Sequence, residues 1–299
     1  ELGTSVFAMA AGSSSSTIPN YVSGFPVDFA FHREKAATEN WWTGGRLIQG
    51  KYLITNSNAA EGSYSGWAFD SNTGFSTDPK NTDWQAWMWK RHAGFDVVTY
   101  KGNGTAGHQI SHSLNKTPEM IWCKSRDTSG KNWYVYVKGL NGGTNPEQYS
   151  LRLNSSNEEG TDSLSWNQTA PTSTHFTLGS SSHININNDN HIAMLFASVE
   201  GISKVGSYDG SSSAQTITTG FAPRFLILKN ITDNNSGWLV LDTTRGWGSG
   251  NDQMLNINNN EAQNNFDNLG APTSTGFTVS NVNAQWNAAN KKYIYYAHA

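Results

Sequence analysis

The sequence has little charge, a single cysteine and no long apolar run. Charged residues make up 14% of the 299 residues, well under the quarter typical of soluble proteins, so solubility must come from Asn, Ser, Thr and Gly. The net charge of −3, with both signs interspersed, argues against nucleic acid as a partner. The lone Cys123 excludes an internal disulfide framework, and its apolar neighbours predict a buried thiol. Because no run of about 18 apolar residues occurs, we expect no membrane insertion.

Signatures of catalysis and metal binding are also missing. There is no G-x-S-x-G elbow, P-loop, H-E-x-x-H or cysteine-based zinc spacing. His108 and His112 would lie roughly 13 Å apart along a strand, too far to share one metal ion. The carboxylates Glu158, Glu159 and Asp162 share one loop and have no matching acidic pair elsewhere, so they do not indicate a glycosidase. We therefore expect no enzyme, no cofactor and no metal site.

What the sequence does contain is a long-range repetition. Phe75, Phe176 and Phe277, each after a Ser/Thr-rich approach, are separated by two steps of 101 residues. This spacing is the size of a small domain and too long for a solenoid unit. Other landmarks recur in the same order, less clearly in the first copy. The predicted organisation is a linker or arm over 1–20, a diverged β-domain over 21–94, and β-sandwiches over 95–200 and 201–299.

Short β-branched and aromatic runs between Gly, Asn, Ser and Thr clusters predict strands throughout. In residues 133–137, period-2 spacing places Trp133, Val135 and Val137 on one face and two tyrosines on the other. The prediction is an all-β chain of tandem β-sandwich domains, of jelly-roll or lectin-like type, in three repeats.

The twelve tryptophans are the candidate functional residues. Tryptophan on a polar β scaffold suits sugar binding, because the indole face stacks on the apolar face of a pyranose. Trp42, Trp133 and Trp238 occupy equivalent places inside strands and are predicted to be core residues. Five others lie nearer Gly- or Asn-rich loops and are the candidates for exposed ligand contact: Trp41, Trp67, Trp84, Trp247 and Trp286.

Several segments, taken as an ordered set, resemble an uncharacterised repeat family of tailed-phage virion proteins, found in marine phages and cyanophages as tail-fibre and other structural proteins. They are residues 87–91, 95–105, 118–121, 171–176, 206–210 and 219–225. The resemblance covers nearly the full chain and is strongest over 87–244. It implies a virion structural protein or tail appendage, and it offers no catalytic residues.

The expected function is therefore a structural component on the exterior of a phage particle, a tail fibre or tail appendage that attaches to a host-surface glycan. Other virion proteins would be its partners, and it would form a homo-oligomer, with a trimer as one candidate. Two alternatives are a capsid-decorating or tail-coating protein without ligand binding, and a polysaccharide depolymerase.

Overall fold

The chain folds into β-strands and short turns. The computed structural model describes residues 1–250, 252–266, 268–280 and 283–299. Within these ranges there are 25 strands and no α-helix, so the all-β prediction is confirmed. The described part of the chain accordingly holds no helix with the length and hydropathy that a membrane crossing requires. Short 3₁₀ turns lie at Gly3–Ser5, Arg46–Ile48, Leu140–Gly143, Pro146–Gln148 and Thr243–Arg245.

Each third of the chain contributes its own strands. The first third (1–94) contains β1 (Phe7–Ala11), β2 (Tyr21–Val22), β3 (Phe29–Glu34), β4 (Trp42–Gly45), β5 (Lys51–Ile54), β6 (Gly62–Ser63), β7 (Gly74–Phe75) and β8 (Trp84–Trp89). The second (95–200) contains β9 (Phe95–Lys101), β10 (His108–Ser111), β11 (Met120–Ser125), β12 (Tyr134–Val137), β13 (Tyr149–Arg152), β14 (Gly160–Thr161), β15 (His175–Leu178) and β16 (Asn190–Phe196). The third (201–299) contains β17 (Ser203–Asp209), β18 (Gln215–Thr218), β19 (Phe225–Asn230), β20 (Trp238–Asp242), β21 (Asp252–Asn256), β22 (Asn264–Phe266), β23 (Pro272–Thr273), β24 (Gly276–Val279) and β25 (Lys292–His298).

Three six-stranded antiparallel sheets share one strand order. The first, second and third sheets run β1-β8-β3-β4-β5-β6, β9-β16-β11-β12-β13-β14 and β17-β25-β19-β20-β21-β22. In each, the first strand of that third pairs with its last strand. Smaller sheets, β2-β7, β10-β15 and β18-β24-β23, accompany them. The three sheets thus share one topology, while the division of the chain into three repeats stays a prediction.

The N-terminal range 1–20, expected to be a linker or arm, contains an edge strand. β1 pairs with β8 in a register from Phe7 opposite Trp89 to Ala11 opposite Gln85. The pattern is hard to recognise in the sequence because three of the five residues are alanine, which is depleted in strands. The first sheet thereby has as many strands as the other two.

Alternation along the strands buries both faces of each large sheet. Trp133, Val135 and Val137 lie in one hydrophobic cluster, whereas Tyr134 and Tyr136 lie in another. This is the division predicted from the period-2 spacing. Each large sheet is therefore covered on both faces by other parts of the protein and does not have one face exposed to solvent.

One core is shared by all three sheets. Its members come from the inner faces of the first, second and third sheets, for example Phe31, Val135 and Ile227. Three separate outer clusters fill the space between each large sheet and its own small sheet and loops. The three thirds of the chain thus share one hydrophobic core instead of each having a separate one on this side. Burial of apolar surface is the main force that holds them together.

Hydrogen bonds from three indoles connect the sheets in a cycle. One tryptophan of each sheet donates to a backbone carbonyl at the end of a strand in a neighbouring sheet: Trp41 Nε1 to Asn256 O at 2.8 Å, Trp133 Nε1 to Ile54 O at 3.0 Å and Trp238 Nε1 to Arg152 O at 3.0 Å. The first sheet binds the third, the second binds the first and the third binds the second. Each large sheet is therefore hydrogen-bonded to both of the others through a tryptophan side chain.

A further hydrogen bond joins the third and first sheets near the chain termini. Arg224, just before β19, donates from Nη2 to Phe7 O at 3.3 Å and to Ala299 O at 2.8 Å. This side chain fastens the third sheet to the first strand of the chain.

Candidate functional site

The five tryptophans expected to be exposed are all buried. Their exposed fractions range from 0% to 9%, so the expectation of exposure was wrong. The rings point into the protein. The expectation failed because proximity to a Gly- or Asn-rich segment gives no information on side-chain direction. Trp67 and Trp84 still reach the edge of a cleft, whereas the other three are enclosed: Trp41, Trp247 and Trp286.

Trp41 and Trp42 have exchanged the roles expected of them. Trp41 is fully buried in the common core, and its backbone N–H donates to Asn56 Oδ1 at 2.9 Å. Trp133 has the same kind of bond to the Asn154 side chain at 3.0 Å, so Trp41 is its equivalent in the first sheet. Trp42, the next residue, points to the opposite face and remains partly exposed. The core prediction is confirmed for Trp133 and Trp238 and wrong for Trp42.

Trp42 lies in a cavity of about 220 Å³ on the outer face of the first sheet, which we call the aromatic cleft. Its lining consists of five aromatic rings and four polar side chains: Trp42, Tyr52, Tyr64, Trp67 and Trp84, with His32, Ser63, Asp78 and Lys80. The volume is below the roughly 300–1,000 Å³ of sites that enclose drug-sized ligands. The cleft therefore suits one small ring.

The aromatic walls are held in fixed positions by their neighbours. The rings of Trp42 and Tyr52 meet edge to face, with centroids 4.8 Å apart. Trp67 stacks on Phe75 at 5.5 Å, deeper in the outer cluster. Tyr64, 43% exposed, stands at the mouth. Aromatic pairs in these geometries contribute roughly 0.5–1.5 kcal/mol beyond their buried area, which keeps the walls in place without a ligand.

Two opposite charges face the cleft as a pair. Lys80 Nζ lies 3.3 Å from Asp78 Oδ2 and 4.0 Å from the centroid of the Trp84 ring. Burial, the Asp78 charge and a hydrogen bond to Asp78 together raise the pKa of Tyr64. The pair leaves the ammonium with unused donors and the carboxylate with unused acceptor sites.

The remaining polar wall is an uncharged histidine. His32 Nδ1 is 3.0 Å from the Tyr21 hydroxyl, and the ring lies between Trp67 and Trp84. Burial, followed by the Lys80 charge, lowers the pKa of His32 to about 3. The imidazole is therefore neutral at physiological pH, and it can share a proton with Tyr21 but cannot supply a positive charge.

The position equivalent to Trp42 has different surroundings in the second and third sheets. Tyr134 takes the place of Trp42 in the second sheet, where the Arg152 guanidinium lies 5.7 Å from its ring centroid and the hollow, about 250 Å³, is polar. Leu239 takes that place in the third sheet and is fully buried in the same hydrophobic cluster as Trp286. Of these three positions, only the first sheet presents an aromatic cleft.

The loop carboxylates considered for hydrolysis have structural partners. Asp162 Oδ1 accepts from the backbone N–H groups of Leu164 and Ser165 at 3.0 and 2.9 Å. Glu159 accepts from the Asn141 N–H at 2.6 Å, and burial raises the pKa of its carboxyl. Glu158 is exposed at the rim of the polar hollow.

The isolated candidates for metal or thiol chemistry are placed as ordinary structural residues. Cys123 is buried, as predicted, and burial raises the pKa of its thiol to about 12. His108 contacts the Asn185 side chain and His112 the Thr172 carbonyl, at 3.0 and 3.2 Å. Among the described residues, no group of three or more His, Cys, Asp or Glu side chains is arranged to hold a metal ion.

Comparison with known proteins places the chain in a family without assigning it an activity. No curated protein is similar enough to count as a match. A family model described as a domain of unknown function, DUF7483, matches residues 32–299. The match begins within β3 and runs through strands of all three sheets, which agrees with their common core. The chain therefore belongs to the DUF7483 family.

Proposed function

We propose that this protein is a non-catalytic component of a phage particle, a tail fibre or similar appendage on the virion exterior, and that its aromatic cleft binds a host-surface glycan. The observation that carries the binding part is the cleft itself, with its five rings and one Asp–Lys pair. Aromatic faces with a few polar groups form the usual lining of sugar sites. The virion part rests on the sequence resemblance, and other virion proteins and further copies of the chain are its proposed partners.

The charge inventory of the cleft favours binding over hydrolysis. Glycosidases place two carboxyl groups across the scissile bond, about 5–9.5 Å apart. Asp78 is the one carboxylate in the lining, and Lys80 is paired with it. A polysaccharide depolymerase is therefore the weaker alternative. Release of new reducing ends from a polysaccharide that the protein binds would reverse this ranking.

A second candidate function is decoration of the capsid or tail without any ligand. The observation in its favour is that six of the twelve tryptophans lie in the common core that joins the sheets, among them Trp87, Trp89 and Trp122. In that case the cleft would be a packing irregularity, and its rings would serve only stability.

Carbohydrate binding separates the two functions. The purified chain is applied to an array of bacterial surface polysaccharides and defined oligosaccharides, beside Trp42→Ala and the matched control Tyr134→Ala. The proposal predicts binding that Trp42→Ala abolishes and Tyr134→Ala retains, with circular dichroism showing that both variants fold. Absence of binding by the folded wild-type protein would favour decoration. Location of the chain in an electron-microscopy map of the particle tests the virion part, and an interior position would contradict it.

A further inference from the structure

Two glycines set the positions of the tyrosines in the aromatic cleft. Gly62 lies opposite Tyr52 in the β5–β6 pair, and a Cβ at Gly62 would overlap the Tyr52 ring. A Cβ at Gly66 would likewise overlap the Tyr64 ring. Both rings therefore lie against bare backbone. Neither glycine has a positive φ, so the missing side chain makes room for the tyrosine rather than permitting an unusual turn.

The second sheet supplies the contrast. Gly160 lies opposite Ser150 in the β13–β14 pair, as Gly62 lies opposite Tyr52. A Cβ at Gly160 would meet nothing within 4 Å. The close approach is therefore a feature of the cleft and not a requirement of this strand pairing.

The charges of the cleft select against an ionised ligand. Asp78 and Lys80 neutralise each other, and His32 is uncharged. A second carboxylate, Glu39, accepts the Trp42 Nε1–H at 2.9 Å and adds negative charge beside that ring. A bound carboxylate or sulfate would face Asp78, while a bound ammonium would face Lys80, and like charges at close range disfavour binding.

We infer that the aromatic cleft takes a single neutral pyranose ring, which stacks on the Trp42 ring with Tyr52 as the adjoining wall and shares its hydroxyl groups between Asp78 and Lys80. The carboxylate accepts from one hydroxyl and the ammonium donates to another, a combination that recognises an uncharged polyol without needing a charged partner. This inference rests on the proposed function and specifies its ligand. The volume of about 220 Å³ limits the contact to one ring, so a polysaccharide would present one residue at a time.

Titration with simple sugars tests the inference. The probes are the methyl pyranosides of glucose, galactose and mannose, each beside its uronic acid and its 2-amino analogue, followed by ligand-observed NMR and tryptophan fluorescence. We expect at least one neutral glycoside to bind about tenfold or more tightly than both of its charged analogues. Gly62→Ala should weaken that binding about tenfold, and Gly160→Ala should leave it unchanged.

The possible failures are distinguishable. Preference for a uronic acid or amino sugar would overturn the neutral-ring inference and leave glycan attachment intact. Equal binding by wild type, Gly62→Ala and Gly160→Ala would place the sugar outside the cleft. If no monosaccharide binds but a polysaccharide binds through Trp42, the single-ring inference fails while the proposed function stands. If neither binds, both fail.

Discussion

Replacement of Trp238 by phenylalanine removes one of the three indole donors that link neighbouring sheets. Trp238 is fully buried in the common core, and its Nε1–H donates to Arg152 O at 3.0 Å across the boundary between the third and second sheets. Arg152 O also accepts the Ser155 N–H at 3.2 Å, so it keeps a partner, and loss of the indole donor costs about 0.5–1.5 kcal/mol, the usual net contribution of one hydrogen bond. The smaller ring adds roughly 1–2 kcal/mol for lost contacts and a partly unfilled space. The expected decrease in the free energy of unfolding is therefore about 1.5–3.5 kcal/mol.

Trp122→Phe is the matched control for this change. Trp122 is also fully buried in the common core, but its Nε1 has no hydrogen-bond partner, so phenylalanine there removes ring volume alone. The entropy of unfolding for a chain of 299 residues is about 0.6 kcal/mol per kelvin, which converts the Trp238→Phe loss into a decrease in Tm of about 2–6 °C. Trp122→Phe should lower Tm by about half as much.

Differential scanning calorimetry is the appropriate assay, because it also reports how many transitions occur. If the sheets depend on one another through a common core, wild type and both variants should each unfold in one transition. A Trp238→Phe effect no larger than that of Trp122→Phe would show that the indole bond contributes nothing. Separate transitions, with only one displaced by the substitution, would contradict the shared core.

Three further outcomes are expected. Burial lowers the pKa of Lys229 to about 7 in the folded protein, so above that pH the unfolded state binds more protons than the folded state. The free energy of unfolding, measured by urea denaturation, should therefore rise from pH 7 to 9, and it should rise less steeply in Lys229→Met. Burial lowers the pKa of His32 and of His298 to about 3. The contribution of these two histidines to the free energy of unfolding should therefore be complete above pH 6.5 and decrease as the pH falls below that value. A stability that does not change from pH 7 to 4 would contradict this burial. Arg224→Met should speed hydrogen exchange in β1, measured by mass spectrometry, because Phe7 O loses a hydrogen-bond donor. Unchanged exchange in β1 would show that Arg224 does not hold this strand in place.

The strand content could be predicted because its signal is local. Residues 133–137 alternate in the sequence and divide between two clusters in the structure. Burial of Cys123 followed from its apolar neighbours in the same way. Each of these statements needs only a few adjacent residues and the two-residue period of a strand.

The direction of Trp41 and Trp42 could not be predicted from local pattern. Alternation requires that adjacent residues face opposite sides, but both are tryptophan, and either could be the core residue. The choice is fixed by long-range contacts, such as the bond from Trp41 to Asn256 O, more than two hundred residues away.

The aromatic cleft was missed for a related reason. Trp42, Tyr52, Trp67 and Lys80 come from two strands and two loops, and only the pairing of β4 with β5 and the return of the chain bring them together. The available signal was the Gly-x-Tyr-x-Gly pattern over residues 62–66, in which small residues alternate around an aromatic. In a strand-rich chain, such glycines mark places where a ring or ligand approaches the backbone.

The most direct test of the account is the affinity of wild type, Trp42→Ala and Tyr134→Ala for the glycan that wild type selects from an array, measured by isothermal titration calorimetry. Trp42 lines the aromatic cleft, and Tyr134 occupies the equivalent place in the second sheet. The account predicts loss of binding in Trp42→Ala and wild-type affinity in Tyr134→Ala. Wild-type affinity in Trp42→Ala would show that the cleft is not the glycan site.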